Sequence, residues 1–141
     1  MPTQQPDRAY DPKSELDRLG IPVLRVWLRD TSGVWVPRQR VVVVASGLGP
    51  VEERCVLAHE VEHVLAGDGA CGEGPVSLEA EHRAELQAAR KLVPLSDLYH
   101  YRQSTHGEAQ LAERLRVTPW VLRIRLADLE GGRVGMVPVA V

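Results

Sequence analysis

The sequence predicts an α+β fold: a small antiparallel sheet packed on helices, followed by a small C-terminal helical part that looks like a helix-turn-helix. Three observations predict it. Residues 23–45 are rich in Val, Leu and Trp and are broken by a turn signal, Asp30-Thr31-Ser32-Gly33. Residues 50–93 hold two long segments with apolar residues at helical spacing, separated by a glycine-rich loop. Beyond Pro94 come three shorter segments, each with its own helix-start signal.

In chain order, residues 1–12 are polar and proline-containing and read as a flexible tail. A short helix is predicted over Lys13–Leu19, stopped by Gly20 and Pro22. Strands are predicted near 23–29, 34–36 and 40–45, and Pro37 marks its strand as an edge or an end. Pro50 suits the first turn of a helix, and Glu52 and Glu53 lie where the helix dipole favours anions. Gly67 is the expected C-cap after Ala66. Ser77 caps a second helix, Leu78–Val93, that Pro94 stops. Ser96, Thr105 and Thr118-Pro119 are expected to open helices over 96–103, 106–116 and 119–129. The apolar segment 133–141 reads as a strand or a docking segment. The predicted organisation is a core over 13–95 and a C-terminal helical module with its tail over 96–141.

At 141 residues the chain is long enough for one domain with a real core, or a small domain plus an appendage. Phe is absent and aromatics make up only 4% of the chain, so Val, Leu and Ala must fill that core. A net charge of −2 gives no electrostatic case for a nucleic-acid or membrane-surface binder. No apolar run is long enough to span a bilayer, and the N-terminus lacks the apolar stretch of a signal peptide, so a cytoplasmic location is expected. Two cysteines, Cys55 and Cys71, do not make a disulfide framework.

The chemistry concentrates in "CVLAHEVEHVLAGDG", residues 55–69, which contains His59-Glu60-Val61-Glu62-His63. On a helix, residues four apart lie about 40° from each other around the axis. His59 and His63 therefore point the same way, the geometry a tetrahedral Zn²⁺ asks of its first two ligands. Glu60 sits about 100° from His59 and can reach water beside the metal, as a general base for attack on a carbonyl. The alternative is an amphipathic helix whose histidines fall four apart by chance. In the second helix Glu81 and Glu85 share a face, with Ala84, Ala88 and Leu92 on or beside it. Small residues allow close approach, bringing Glu81 to the metal and Glu85 to the outer nitrogen of a ligand histidine. A solvated acidic face is the plainer alternative, and Glu79 and His82 are rival ligands.

The run "AHEVEH", then about twenty residues, then "EHRAELQAARKLVP" resembles the ImmA/IrrE-type metallopeptidases. Their pattern is His-Glu-x-x-His, then Glu-x-x-Ala-(Asn/Asp), then an Ala and a Leu-Leu-Met-Pro-like end. The second part falls on Glu81, Ala84, Glu85, Ala88, Leu92, Val93 and Pro94. The resemblance spans roughly residues 34–129. It implies that His59, His63 and Glu81 bind zinc, that Glu60 is the catalyst, and that Glu85 takes the place of a supporting Asn or Asp. It also implies a zinc endopeptidase that relieves repression by cutting a helix-turn-helix regulator of a phage, mobile element or stress response. The chain departs from the pattern at Glu62, where Gly or Ala is frequent, at Gln87 in place of an aromatic, and at Lys91 in place of an apolar residue.

Two other functions compete. One is a non-proteolytic regulator that keeps the zinc fold but binds a repressor or antitoxin. The other is a DNA-binding helix-turn-helix protein using Arg123 and Arg125, although Glu113, Asp128 and Glu130 oppose them in charge. For the peptidase, "RQRVVVVASG" offers an edge strand that pairs with extended substrate, or else a buried central strand. Tyr99 and His106, with His100 and Tyr101 nearby, are candidate oxyanion donors against the plainer reading as surface side chains. Cys55 lies one turn before His59 and is either close to the metal or a small packing residue. Cys71 is a redox handle or an ordinary thiol. Trp27 and Trp35 are expected on a sheet face, Trp120 in the core or at a partner contact, and Glu62 paired with a base such as Arg83.

Overall fold

The computed structural model describes residues 9–69 and 76–131. The tail residues 1–8, Cys71 and the segment 133–141 lie outside the described residues. The elements run α1 (Pro12–Arg18), β1 (Val23–Val26), β2 (Gly33–Val36), β3 (Val41–Ala45), α2 (Pro50–Ala66), α3 (Leu78–Leu92), α4 (Leu95–Arg102), α5 (Glu108–Leu115) and α6 (Pro119–Gly131). The architecture is α+β, with six helices and one three-stranded sheet among the described residues.

The sheet order is β1-β3-β2. β2 and β3 form the expected antiparallel pair, with Val34 opposite Val43, whereas β1 runs parallel to β3, with Leu24 opposite Val43. The sheet is therefore mixed. Val41, Val42 and Val44 are buried, and a continuous apolar run of this kind belongs in the middle of a sheet. This displaces the substrate-edge role from "RQRVVVVASG", because β3 has strands on both sides and β2 holds an edge. β2 stops before Pro37, and Arg40, at φ 51°, closes the turn by donating its N–H to Pro37 O at 3.2 Å. β1 is shorter than predicted and ends before Trp27, which is 73% exposed with Arg29 beside its ring. Trp27 is thus no part of the sheet packing, while Trp35 packs against it as expected.

Helix α2 lies between two apolar clusters, which explains why its buried residues go most of the way round it. Leu57 and Val61 face the sheet with Leu16, Ile21, Val42 and Val44. Cys55 and Ala58 face the helical side with Ala88, Leu92, Leu111, Leu115 and Leu122. The C-terminal helices share this second cluster. Ala80, Ala84 and Ala88 make a buried stripe on α3, so its backbone approaches α2 closely. α6 is held to α3 by Arg90 and Asp128 at 2.7 and 2.9 Å. Arg54 of α2 reaches across to Arg116 O at the end of α5 (2.7 Å) and to Tyr10 O (3.0 Å).

The predicted caps hold at Gly67, in the left-handed region at φ 70°, and at Ser77, whose hydroxyl accepts from Ala80 N–H at 3.1 Å. α5 begins at Glu108 rather than near Thr105. Thr105 donates its hydroxyl to Tyr101 O at 3.0 Å and finishes α4, and Gly107 at φ 87° separates the two helices. No helix among the described residues is long and apolar enough to cross a membrane.

Candidate metal centre and its cleft

The close approach of α2 and α3 gathers His59, His63 and Glu81 at one end of the helix pair, the one such group of potential metal ligands among the described residues. The two Nε2 atoms stand 3.0 Å apart, and the Glu81 carboxylate bridges them, with Oε2 3.0 Å from His59 Nε2 and Oε1 3.0 Å from His63 Nε2. Three ligands on a tetrahedral Zn²⁺, each about 2.0–2.1 Å from it, would be separated by roughly 3.3 Å. The donor triangle is therefore close to the size a zinc ion asks for.

His63 is almost fully buried. Its Nδ1 donates to Asp68 Oδ2 at 2.8 Å, and Asp68 also pairs with Arg83. With its proton on Nδ1, a neutral His63 presents a lone pair at Nε2 to a second imidazole nitrogen and a carboxylate oxygen. Such a cluster of acceptors is relieved by a cation at its centre. Burial holds His59 below the ordinary histidine pKa; Glu81 opposes that shift and His63 adds to it. His59 is thus inclined to the neutral form that metal ligation requires.

Glu60 is only 6% exposed. Burial pushes its pKa up to about 7; His63, in its protonated form, pulls it down, the charge of Glu81 adds to the rise, and the Trp35 backbone N–H lowers it. Gly33 makes this neighbourhood possible. A Cβ on Gly33 would stand 2.5 Å from Val56 Cγ1 and 3.5 Å from Glu60 Cγ, so only glycine lets β2 lie against α2 here.

The triad opens into a cleft of about 460 Å³. It runs along α2 past Cys55 and Glu52 and along α3 past Glu85 and Ala88, with Trp120, Val121 and Ile124 of α6 as one wall.

Several expectations are corrected. Glu85 does not take the outer nitrogen of a histidine. It lies one turn beyond Glu81 along the cleft and faces Trp120, and Asp68 supplies the carboxylate to His63 instead. Burial raises the Glu85 pKa; His82 lowers it, Glu81 raises it, and the Trp120 side chain lowers it. Tyr99 and His106 are not at the site, because α4 turns away behind the helical cluster. Tyr99 lines a separate cavity with Leu95, Leu98 and Arg102, and His106 donates its backbone N–H to Gln110. Glu79 and His82 stay outside the ligand group. Glu62 pairs with Lys91, not Arg83, at 2.7 Å but off the hydrogen-bond axis. Lys91 also reaches Glu15 at 3.2 Å, so Glu62 belongs to a charge cluster joining α1, α2 and α3. Cys55 is buried beside Thr118 with its thiol pKa raised mainly by burial, the packing alternative.

Sequence reasoning missed Asp68, Gly33 and the cleft-lining place of Trp120. The available signal for Asp68 was its position just past the Gly67 cap. The left-handed glycine reverses the chain, Asp68 N–H donates to His63 O at 3.0 Å, and the side chain folds back to the ring of the same residue.

Among solved structures, a Mycobacterium tuberculosis transcriptional regulator shares the fold, with a TM-score of 0.63 and 22% identity over 86% of this chain. The chain spans 41% of that protein's length. No individual curated protein matches the chain. A sequence profile of the Peptidase_M78 family, described as the IrrE N-terminal-like domain, matches residues 16–127. With most of its length inside that match, the chain belongs to the Peptidase_M78, IrrE N-terminal-like family.

Proposed function

We propose that the protein is a zinc-dependent endopeptidase acting on a protein substrate in the cytoplasm. The observation that carries this reading is the convergence of His59, His63 and Glu81 beside a buried Glu60 at the head of an open cleft. His59, His63 and Glu81 would hold the zinc. When bound, zinc supplies Lewis-acid chemistry, polarising a carbonyl and acidifying water. Asp68 fixes the tautomer and ring plane of His63. Glu60 does the proton work, taking a proton from the attacking water and handing it to the leaving amine. A proton affinity near neutrality suits both halves of that task.

The edge of β2, unpaired among the described residues, supports binding of an extended substrate segment, since Gly33 brings that strand against Glu60. The proposed substrate is a helix-turn-helix transcriptional repressor. Direct DNA reading is disfavoured by the ion pairs around α6: Arg125 is committed to Val93 O and Asp128, and Arg123 faces Glu108.

The test is co-incubation of the protein with repressors encoded near it, with zinc and with a chelator, followed by mass spectrometry of fragments. Zinc-dependent appearance of a single pair of fragments is expected. Intact repressor bound in a stable complex would instead favour the non-proteolytic regulator.

A further inference from the structure

A groove of about 450 Å³ opens at the end of β2 away from Gly33. Its walls are apolar: Leu19 and Ile21 follow α1, Trp35 and Pro37 stand at the end of β2, and Val64 and Leu65 belong to the last turn of α2. Leu19 and Leu65 are still 36% and 50% exposed, so apolar area remains for a bound side chain to cover. Among the described residues its charged lining is Arg38 and Arg40 alone, with no acid. Neither arginine makes an ion pair among the described residues, whereas the exposed Arg25 and Arg83 both do.

Arg40 also holds its place against a backbone preference. It closes the turn after β2 at φ 51°, in the left-handed region that glycine occupies most easily. An arginine kept at such a position points to a use for its side chain. The groove is also within reach of the metal centre. Gly33 lies against Glu60, and Trp35 and Pro37 come two and four residues later on the same strand. At roughly 3.3 Å per residue that is about 7–13 Å. A substrate segment laid along the edge of β2 reaches the end of the strand a few residues from the scissile bond.

We propose that this groove docks a segment of the protein substrate carrying an aliphatic side chain beside paired carboxylates, the first covering Leu19 and Leu65, the second meeting Arg38 and Arg40. The inference deepens the peptidase reading above and rests on it for the identity of the partner. Charge decides the occupant. Two cations without a counter-ion favour an acidic segment and disfavour a basic one. Guanidinium groups add a planar fork that matches a carboxylate at two points.

The test titrates the full chain with two short peptides, Gly-Ser-Leu-Glu-Glu-Leu-Ser-Gly and the same sequence with Gln for each Glu, followed by nuclear magnetic resonance. Shifts at the Trp35 indole N–H and the Arg38 and Arg40 Nε–H are expected. The Glu peptide should bind about fivefold tighter or more, the size expected of two exposed ion pairs. Raising salt from about 0.05 M to about 0.5 M should shrink that preference, and Arg38→Gln/Arg40→Gln should remove it. Arg40→Gly should unfold at a higher temperature than wild type and still lose part of the preference. Equal affinities for the two peptides, or a preference that survives the double substitution, overturn the proposal. Equal shifts with inorganic phosphate also overturn it, as the mark of a general anion site. So does a dimer in sedimentation that the double substitution dissociates, because a second copy then fills the groove. Selection of the Glu peptide by a protein that cuts no repressor keeps the docking site and fails the peptidase reading alone. Cleavage without peptide selection does the reverse.

Discussion

Asp68 Oδ2 accepts the Nδ1 proton of His63 at 2.8 Å, and that contact is made by a residue five positions further along the chain. The backbone turn that ends α2 and the tautomer of a candidate metal ligand are therefore set by the same two residues, Gly67 and Asp68. Arg83 adds a second tie, from α3, two positions after Glu81. Asp68→Ala should weaken zinc binding by about 10–100-fold. Asp68→Asn, which still accepts from Nδ1 but lacks the charge, should lose less. Competition with a chelating indicator measures both. Unchanged affinity in Asp68→Ala would remove Asp68 from the site.

Glu60 gives a prediction about stability rather than rate. Its folded pKa of about 7 lies above the ordinary 4.5, so its contribution is fully present below the ordinary value and is lost as pH rises through about 7. In metal-free protein, Glu60→Gln should therefore stabilise the fold at pH 8, on the order of 2 kcal/mol, and give little gain near pH 4. Chemical denaturation at the two pH values checks it. A gain that is the same at both would mean the effect is not ionisation.

Much of this arrangement was legible in the sequence, for physical reasons that differ by element. Caps at Gly67 and Ser77 are local events, and local residues predicted them. His59, Glu60 and His63 are fixed relative to one another by a single helix. Glu81 was readable because an alanine stripe implies close helix packing. What failed depended on contacts between distant segments. β1 pairs parallel with β3 because the chain crosses from one edge of the sheet to the other, and neither strand's composition records that. Asp68, to which no role was assigned, takes the one expected of Glu85 because the loop after α2 folds back toward the site. Tyr99 and His106 were placed by sequence proximity to α3, but α4 carries Tyr99 to a separate cavity and His106 follows it just before α5.

Glu62 is buried with Lys91 as its cation. Lys91→Met should destabilise the protein by about 2 kcal/mol, less than the roughly 3–5 kcal/mol of a fully buried broken pair because a third of the lysine side chain meets water. Replacing both residues with Met and Leu should recover most of the loss. Thermal unfolding of the single and double variants tests it, and additive losses would show that the two do not interact.

Gly33→Ala places a methyl 2.5 Å from Val56 Cγ1. The strand must shift, at a cost of roughly 1–3 kcal/mol typical of overpacking. Val56→Ala in the same chain should relieve most of it. If Gly33→Ala is as stable as wild type, β2 does not lie as close to α2 as described.

The central claim is that His59, His63 and Glu81 bind zinc while Glu60 moves the proton. The most direct measurement is the cleavage rate of Glu60→Gln on a substrate the wild type cuts, at equal, full zinc occupancy. A fall of about 10²–10⁴-fold with zinc retained is predicted. Cleavage at the wild-type rate, or loss of zinc from the variant, would contradict it.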